Sequence, residues 1–151
     1  MPCLLIALIL LSIPQDKEAD VNATNLVVFY QSSGKVYNPK VYLDGRVLAQ
    51  SDNGRFFSIR LPAGTYWIAV ESGLEQPPPL KVEVEADAVY VSIKPNSIWT
   101  EMPGFSIELP SKDEAAEKIK KLRALDKKWI RDQRVVLELP PELSAATPTK
   151  K

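Results

Sequence analysis

Histidine is absent from the 151-residue chain, and cysteine occurs once, at Cys3. Without histidine the chain lacks the usual general base near neutral pH and the commonest metal ligand. A single cysteine cannot close a disulfide within the chain or build a thiolate zinc site. We therefore predict a protein that is not an enzyme and that uses no metal or other cofactor.

An excess of charge of either sign is also lacking, because 19 basic residues balance 19 acidic residues. A protein that binds nucleic acid normally carries a basic footprint. We therefore predict no nucleic-acid partner. The length favours one domain, and a chain of this size can bury a single core.

Long hydrophobic runs are limited to residues 4–13, where only Ser12 is polar. A membrane-spanning helix needs about 20 apolar residues, whereas this shorter run fits the apolar part of a secretory signal that Pro14 ends. Residues 1–23 are predicted to be a signal peptide or N-terminal apolar segment, and a first strand or helix of the fold is the alternative. We expect export to the periplasm or the cell exterior, with membrane contact only if this segment stays uncleaved.

Strand-like patterns dominate residues 24–110. About seven segments of alternating or β-branched residues, joined by short turns, precede residue 94. Asp44 and Gly45 separate two of these segments and predict a type I′ hairpin turn, because both turn positions need positive φ. This rhythm predicts a mainly β fold, an antiparallel β-sandwich of about seven strands. Residues 105–109 are a candidate for one further short strand.

A change of period at Ser111 predicts one amphipathic helix over residues 111 to about 132. Ser111 and Glu114 form a capping box at its start. Its apolar residues recur at three- and four-residue spacing, at Ala115, Ile119, Leu122, Leu125 and Trp129. We expect this stripe to pack on the chain's own sheet, on the face of Phe56 and Trp67. A membrane-surface or partner-binding helix is the alternative.

The end of the chain combines a basic segment with an aperiodic tail. Residues 112–134 hold nine basic and five acidic residues, which is typical of a solvated helix surface; an acidic partner or anionic lipid is the alternative. Residues 135–139 are predicted to form a last edge strand, so residues 111–139 complete the same domain. Residues 140–151 show no periodicity and are predicted to be a disordered tail.

Three aromatic residues, Tyr42, Trp67 and Trp99, are candidate ligand contacts. Trp67 lies in one predicted strand, on the face opposite that of Val70. Tyr42 lies in another predicted strand, on the face opposite that of Val41. An exposed flat ring can stack on the apolar C–H groups of a sugar. The pattern therefore permits a carbohydrate-binding face, and ordinary core packing under the helix is the alternative.

Acidic residues offer two further patterns. Glu83 and Glu85 fall on one outer strand face, about 7 Å apart by strand geometry, which is a possible spacing for a carboxylate-dependent hydrolase. Such alternation is also typical of a solubilising face. Asp44, Asp52 and Asp87 occupy predicted turns, where aspartate is favoured without any ligand, and their spacing matches no calcium-binding loop.

Two stretches, residues 41–46 (VYLDGR) and 55–72 (RFFSIRLPAGTYWIAVES), resemble the small envelope β-sandwiches of the PEGA and carboxypeptidase-regulatory type. In those domains a strand ends in Leu-Pro-x-Gly-x-Tyr, which here runs from Leu61 to Tyr66. The chain is also similar, over roughly residues 25–132, to a bacterial family of unknown function. That family has the same sandwich, a short Asp-Gly hairpin and a C-terminal helix that begins with Asp/Glu-Ala residues, as residues 113–116 do.

The resemblance implies a mostly non-catalytic envelope protein and supplies no catalytic residues. Unlike many members, this chain has no lipid-attachment cysteine after its apolar segment. We expect an exported, non-catalytic β-sandwich that serves as an interaction or structural module of the bacterial cell envelope, with an envelope protein or a glycan as partner. A carbohydrate- or peptidoglycan-binding module is the first alternative, and a carboxylate-dependent hydrolase is the second.

Overall fold

A computed structural model describes residues 25–33, 38–71, 78–95 and 104–144. These residues form ten strands, β1 (Asn25–Gln31), β2 (Lys40–Leu43), β3 (Arg46–Gln50), β4 (Arg55–Leu61), β5 (Gly64–Glu71), β6 (Leu80–Val84), β7 (Val89–Pro95), β8 (Phe105–Glu108), β9 (Arg123–Ala124) and β10 (Val135–Val136). They also form two helices, α1 (Lys112–Ile119) and α2 (Pro141–Ser144), and a 3₁₀ turn at Lys127–Trp129. The mainly β prediction is confirmed, whereas the count of about seven strands is wrong. The predicted signal segment, residues 1–23, lies outside the described residues.

The strands form two sheets of different kinds. The four-stranded sheet has the order β3-β2-β5-β6 and is antiparallel throughout. The six-stranded sheet has the order β10-β4-β1-β7-β8, with β9 on the same edge of β4 as β10. This second sheet is mixed, because β1 and β7 are parallel. The prediction of wholly antiparallel pairing is wrong here, since the chain makes five other strands between β1 and β7 and so joins them by a long crossover, not by a hairpin.

The main core takes apolar side chains from both sheets. Period-2 alternation turns one face of each strand inward, and the predicted inward residues Phe57, Ile59 and Leu61 of β4 all lie in this core. Phe29 of β1 stacks on Phe57, its cross-strand partner, with ring centroids 4.8 Å apart. The main core therefore depends on side chains from distant parts of the chain.

Helix α1 covers the other face of the six-stranded sheet. The Ser111 hydroxyl accepts a hydrogen bond from the Glu114 backbone N–H at 3.3 Å, which confirms the predicted N-cap. Ala115 and Ile119 are buried against a second cluster that includes Phe56. The helix therefore packs on the chain's own sheet at Phe56, as predicted.

The predicted helix over residues 111 to about 132 is wrong beyond Ile119. After Lys120 the chain turns and runs along the exposed edge of β4. There the Leu125 N–H donates to the Phe56 carbonyl at 2.8 Å, as a strand would. Such backbone bonds to an otherwise unpaired sheet edge are not available to a helix, and they override a helical spacing of apolar residues.

The apolar stripe is divided between two clusters as a result. Ala115, Ile119 and Leu122 lie in the cluster under α1. Leu125 and Trp129 belong to the main core. We call residues 120–131, which pass from one cluster to the other along the sheet edges, the strap.

The chain end is more ordered than the sequence predicts. The predicted strand over residues 135–139 is limited to β10, which pairs with β4. The tail predicted to be disordered from residue 140 begins with α2, where Leu143 is buried and Glu142 pairs with Lys112 at 3.0 Å. The buried side chain of Leu143 anchors this segment, which explains why the prediction of disorder is wrong for residues 141–144. Residues 145–151 lie outside the described residues.

Candidate functional site

The β2–β3 hairpin places its turn beside β5. Asp44 and Gly45 have φ values of 48° and 80°, as the predicted type I′ turn requires. The Asp44 N–H donates to the Trp67 carbonyl at 2.8 Å, and the Trp67 N–H donates to Asp44 Oδ1 at 2.9 Å. These two bonds fix the turn next to Trp67 and engage the Asp44 carboxylate within the protein, as expected of an aspartate favoured in a turn.

Tyr42 and Trp67 lie on the same face of the four-stranded sheet, opposite the core. Tyr42 pairs across strands with Ala69, and Trp67 precedes Ala69 by two residues, so the three side chains share one face. Trp67 is 50% exposed, the larger of two exposed large apolar side chains among the described residues. The expectation that the helix stripe covers Trp67 is therefore wrong, because the helix packs on the other sheet.

A groove of about 400 Å³ lies along this face. Its lining includes Tyr42, Trp67, Glu71, Pro78 and Pro79. The structure thus brings together two of the three aromatic candidates, while the third, Trp99, lies outside the described residues. Period-2 spacing from Trp67 through Ala69 to Glu71 is the sequence signal that could have added Glu71.

Glu71 sets the polar character of the groove. The Tyr42 hydroxyl donates a hydrogen bond to Glu71 Oε2. This hydrogen bond, together with desolvation and the negative charge of Glu71, raises the pKa of Tyr42 above its ordinary value. Tyr42 is therefore a neutral phenol throughout the physiological pH range, and Glu71 keeps further lone pairs for a ligand hydroxyl or amide.

The other acidic candidates are not gathered into a cleft. Glu83 is exposed on β6, where it accepts a hydrogen bond from Thr65 Oγ1 at 3.0 Å and lies 3.7 Å from Lys81 Nζ. Glu85 follows the end of β6 and is exposed. Asp52 and Asp87 also occupy turns, and no group of three or more potential metal ligands occurs in the part of the chain that the structure describes.

A second cavity, of about 430 Å³, lies by α1 and α2. Arg60, Tyr90, Lys112 and Glu142 contribute to its lining. Its charged groups are largely engaged within the protein, with Lys112 bound to Glu142 and Arg60 bound to Glu138 at 2.7 Å. Burial raises the pKa of Tyr90, whose hydroxyl has no hydrogen-bond partner among the described residues. Sequence reasoning missed this cavity, since its residues come from five separate segments.

The chain was compared with family models, with curated proteins and with solved structures, and none of the three comparisons gives a match. Across the described ranges, every helix is too short or too polar to span a membrane.

Proposed function

We propose that this protein is an exported, non-catalytic binding module of a bacterial cell envelope, and that the groove at Tyr42 and Trp67 binds a glycan. Its fold in this proposal is a β-sandwich of the PEGA-like kind. The two sheets share one core, which supports the sandwich. The apolar run at residues 4–13 supports export.

The exposed indole of Trp67 is the observation that carries the glycan proposal. A large aromatic ring that stays half exposed beside a groove offers apolar area that a ligand can remove from water, which favours binding. Sugar rings present an apolar C–H face to such a ring and hydroxyls to a carboxylate. In this groove the Trp67 indole is the ring that can stack on the C–H face of a sugar. The Glu71 carboxylate, beside the Tyr42 ring, can accept hydrogen bonds from the sugar hydroxyls.

The turn between β4 and β5 supports the proposed kinship. The Tyr66 hydroxyl donates to the Pro62 carbonyl at 2.8 Å, within the Leu-Pro-x-Gly-x-Tyr stretch that resembles envelope sandwiches. Tyr66 is buried in the main core. The motif therefore anchors the start of β5, the strand that presents Trp67.

Trp67→Ala is expected to reduce binding to insoluble glycan by about tenfold or more, the usual effect of truncating an aromatic hot spot. The measurement is co-sedimentation of the full chain with peptidoglycan, chitin and cellulose, which identifies the glycan class. Thermal unfolding should be nearly unchanged, because Trp67 is outside both core clusters.

Leu109→Ala is the matched control, since Leu109 is the other large apolar side chain exposed in the described residues, at 47%. It should leave binding intact. Equal binding by wild type and Trp67→Ala, or no binding to any glycan, would contradict the proposal. Loss of binding in Trp99→Ala alone would place the site elsewhere.

A further inference from the structure

The strap is the most basic part of the chain. Its twelve residues include six basic residues and one acidic residue, Asp126. The rest of the chain therefore carries an excess of acidic residues, since the whole is neutral. All six basic side chains of the strap belong to exposed residues: Lys120, Lys121, Arg123, Lys127, Lys128 and Arg131.

Backbone bonds hold the strap at both ends. At its start the Arg123 N–H donates to the Gly54 carbonyl at 3.1 Å. At its end Ile130 forms a β-bridge with Ala49, and the Arg131 N–H donates a hydrogen bond to the Leu48 carbonyl at 2.9 Å. The strap therefore joins the edge of β4 in one sheet to the edge of β3 in the other, and its cations are held along this one side of the protein.

Four of the six cations are left without an ion pair. Within the described residues, no carboxylate lies within 4 Å of Lys121, Arg123, Lys127 or Arg131, whereas Lys120 pairs with Glu117 at 2.7 Å and Lys128 pairs with Asp126 at 4.0 Å. Away from the strap, most described cations do have such a partner, as Lys81 and Lys94 do. The positive potential of the strap is therefore not neutralised by the protein itself.

An aromatic ring lies among these cations. Lys128 Nζ is 5.3 Å from the ring centroid of Trp129, which is partly exposed while it packs on the main core. Tryptophan is enriched at the level of lipid headgroups, where one end of the side chain is apolar and the other is wet. Trp129 fits that position.

We propose that the strap is a docking surface for an anionic phospholipid bilayer. Clusters of four to eight lysine and arginine residues are attracted to such surfaces, by about fivefold in affinity per charge. Lysines outnumber arginines by four to two in the strap. An ammonium group is a point charge without the bidentate geometry that selects particular carboxylates. This composition favours a diffuse anionic surface over one acidic peptide.

The test measures partition of the full chain into vesicles of phosphatidylglycerol and of phosphatidylcholine. The triple variant Lys121→Gln/Arg123→Gln/Lys127→Gln should bind phosphatidylglycerol vesicles roughly a hundredfold less well than wild type. The apolar run at residues 4–13 would bind both lipids alike, so the excess binding to phosphatidylglycerol reports on the strap.

The control Lys40→Gln/Lys81→Gln/Lys112→Gln changes the net charge equally at exposed positions outside the strap and should retain the excess. Equal loss of binding in both triple variants, equal binding of wild type to both lipids, or binding to soluble polyphosphate without binding to vesicles would overturn the proposal.

Urea unfolding shows whether each triple variant folds. If the strap variant does not fold, the test uses wild type alone: added salt should abolish its excess binding to phosphatidylglycerol over phosphatidylcholine vesicles, because salt screens charge attraction. Excess binding that persists at high salt would contradict docking through the strap.

Discussion

Asp132→Asn is expected to lower the free energy of unfolding by about 3–5 kcal/mol, the usual cost of breaking a buried ion pair from one side. The Asp132 side chain is fully buried. Arg134 donates to its two oxygens, from Nε at 3.1 Å and from Nη2 at 3.0 Å, and the Arg134 N–H donates to Oδ1 at 2.9 Å. Asparagine would remove the negative charge that faces the Arg134 guanidinium, which is itself only 12% exposed.

The same pair makes stability depend on pH. Burial alone would raise the pKa of Asp132, but the hydrogen bonds from Arg134 and the charges of Arg134 and Arg46 outweigh burial and hold that pKa below its ordinary value. The stabilisation is therefore complete above the unfolded-state value of about 3.9 and is lost as pH falls through the folded-state pKa. The difference in urea midpoint between wild type and Asp132→Asn should be constant near neutral pH and shrink below about pH 4.

Asp126→Asn is the matched control within the strap. The Asp126 side chain is 56% exposed, and its Oδ1 accepts a hydrogen bond from the Lys128 N–H, which asparagine can also accept. Its unfolding free energy should change by no more than about 0.5 kcal/mol. Similar losses in the two variants, or a difference that does not vary with pH, would contradict the role given to Asp132.

Leu125→Ala is expected to cost about 2–5 kcal/mol in unfolding free energy, because it removes a fully buried side chain and leaves a cavity. Leu125 is 2% exposed and lies in the main core, where the strap passes over the edge of β4. Urea unfolding followed by circular dichroism measures the loss.

Leu109→Ala makes the same chemical change at an exposed position. Its effect should stay within about 0.5 kcal/mol. A Leu125→Ala variant as stable as Leu109→Ala would mean that the strap does not pack in the core.

Local patterns made much of the fold predictable. Alternation identified the inward residues of β4, and Asp44-Gly45 identified the hairpin turn, because both depend only on neighbours in sequence. Ser111 marked the start of α1 for the same reason. The mainly β prediction rested on these signals and is confirmed.

Long-range competition explains what the sequence could not predict. The spacing of Leu122, Leu125 and Trp129 satisfies a helix, and nothing local shows that the edge of β4 offers better partners for this backbone. Parallel pairing of β1 with β7 is likewise fixed only by the long crossover between them, in which β4 pairs with β1 while β2, β3, β5 and β6 form the other sheet. Both errors come from tertiary contacts that override local propensity.

The candidate site was predictable in part. Tyr42 and Trp67 were singled out as exposed aromatic candidates, and the structure places both on one groove. Glu71 was missed although its period-2 spacing from Trp67 along β5 places it on the same face. Pro78 and Pro79 were missed because their approach to Trp67 depends on how the chain segments are arranged in space.

Glycan binding in the groove at Tyr42 and Trp67, as proposed, can be followed through the indole N–H signals of the three tryptophans. When a ¹⁵N-labelled full chain is titrated with a soluble peptidoglycan fragment, we expect the Trp67 signal to shift and saturate while the Trp129 signal stays in place. An unchanged Trp67 signal, with or without a shift at Trp99 or Trp129, would show that the groove does not bind the glycan.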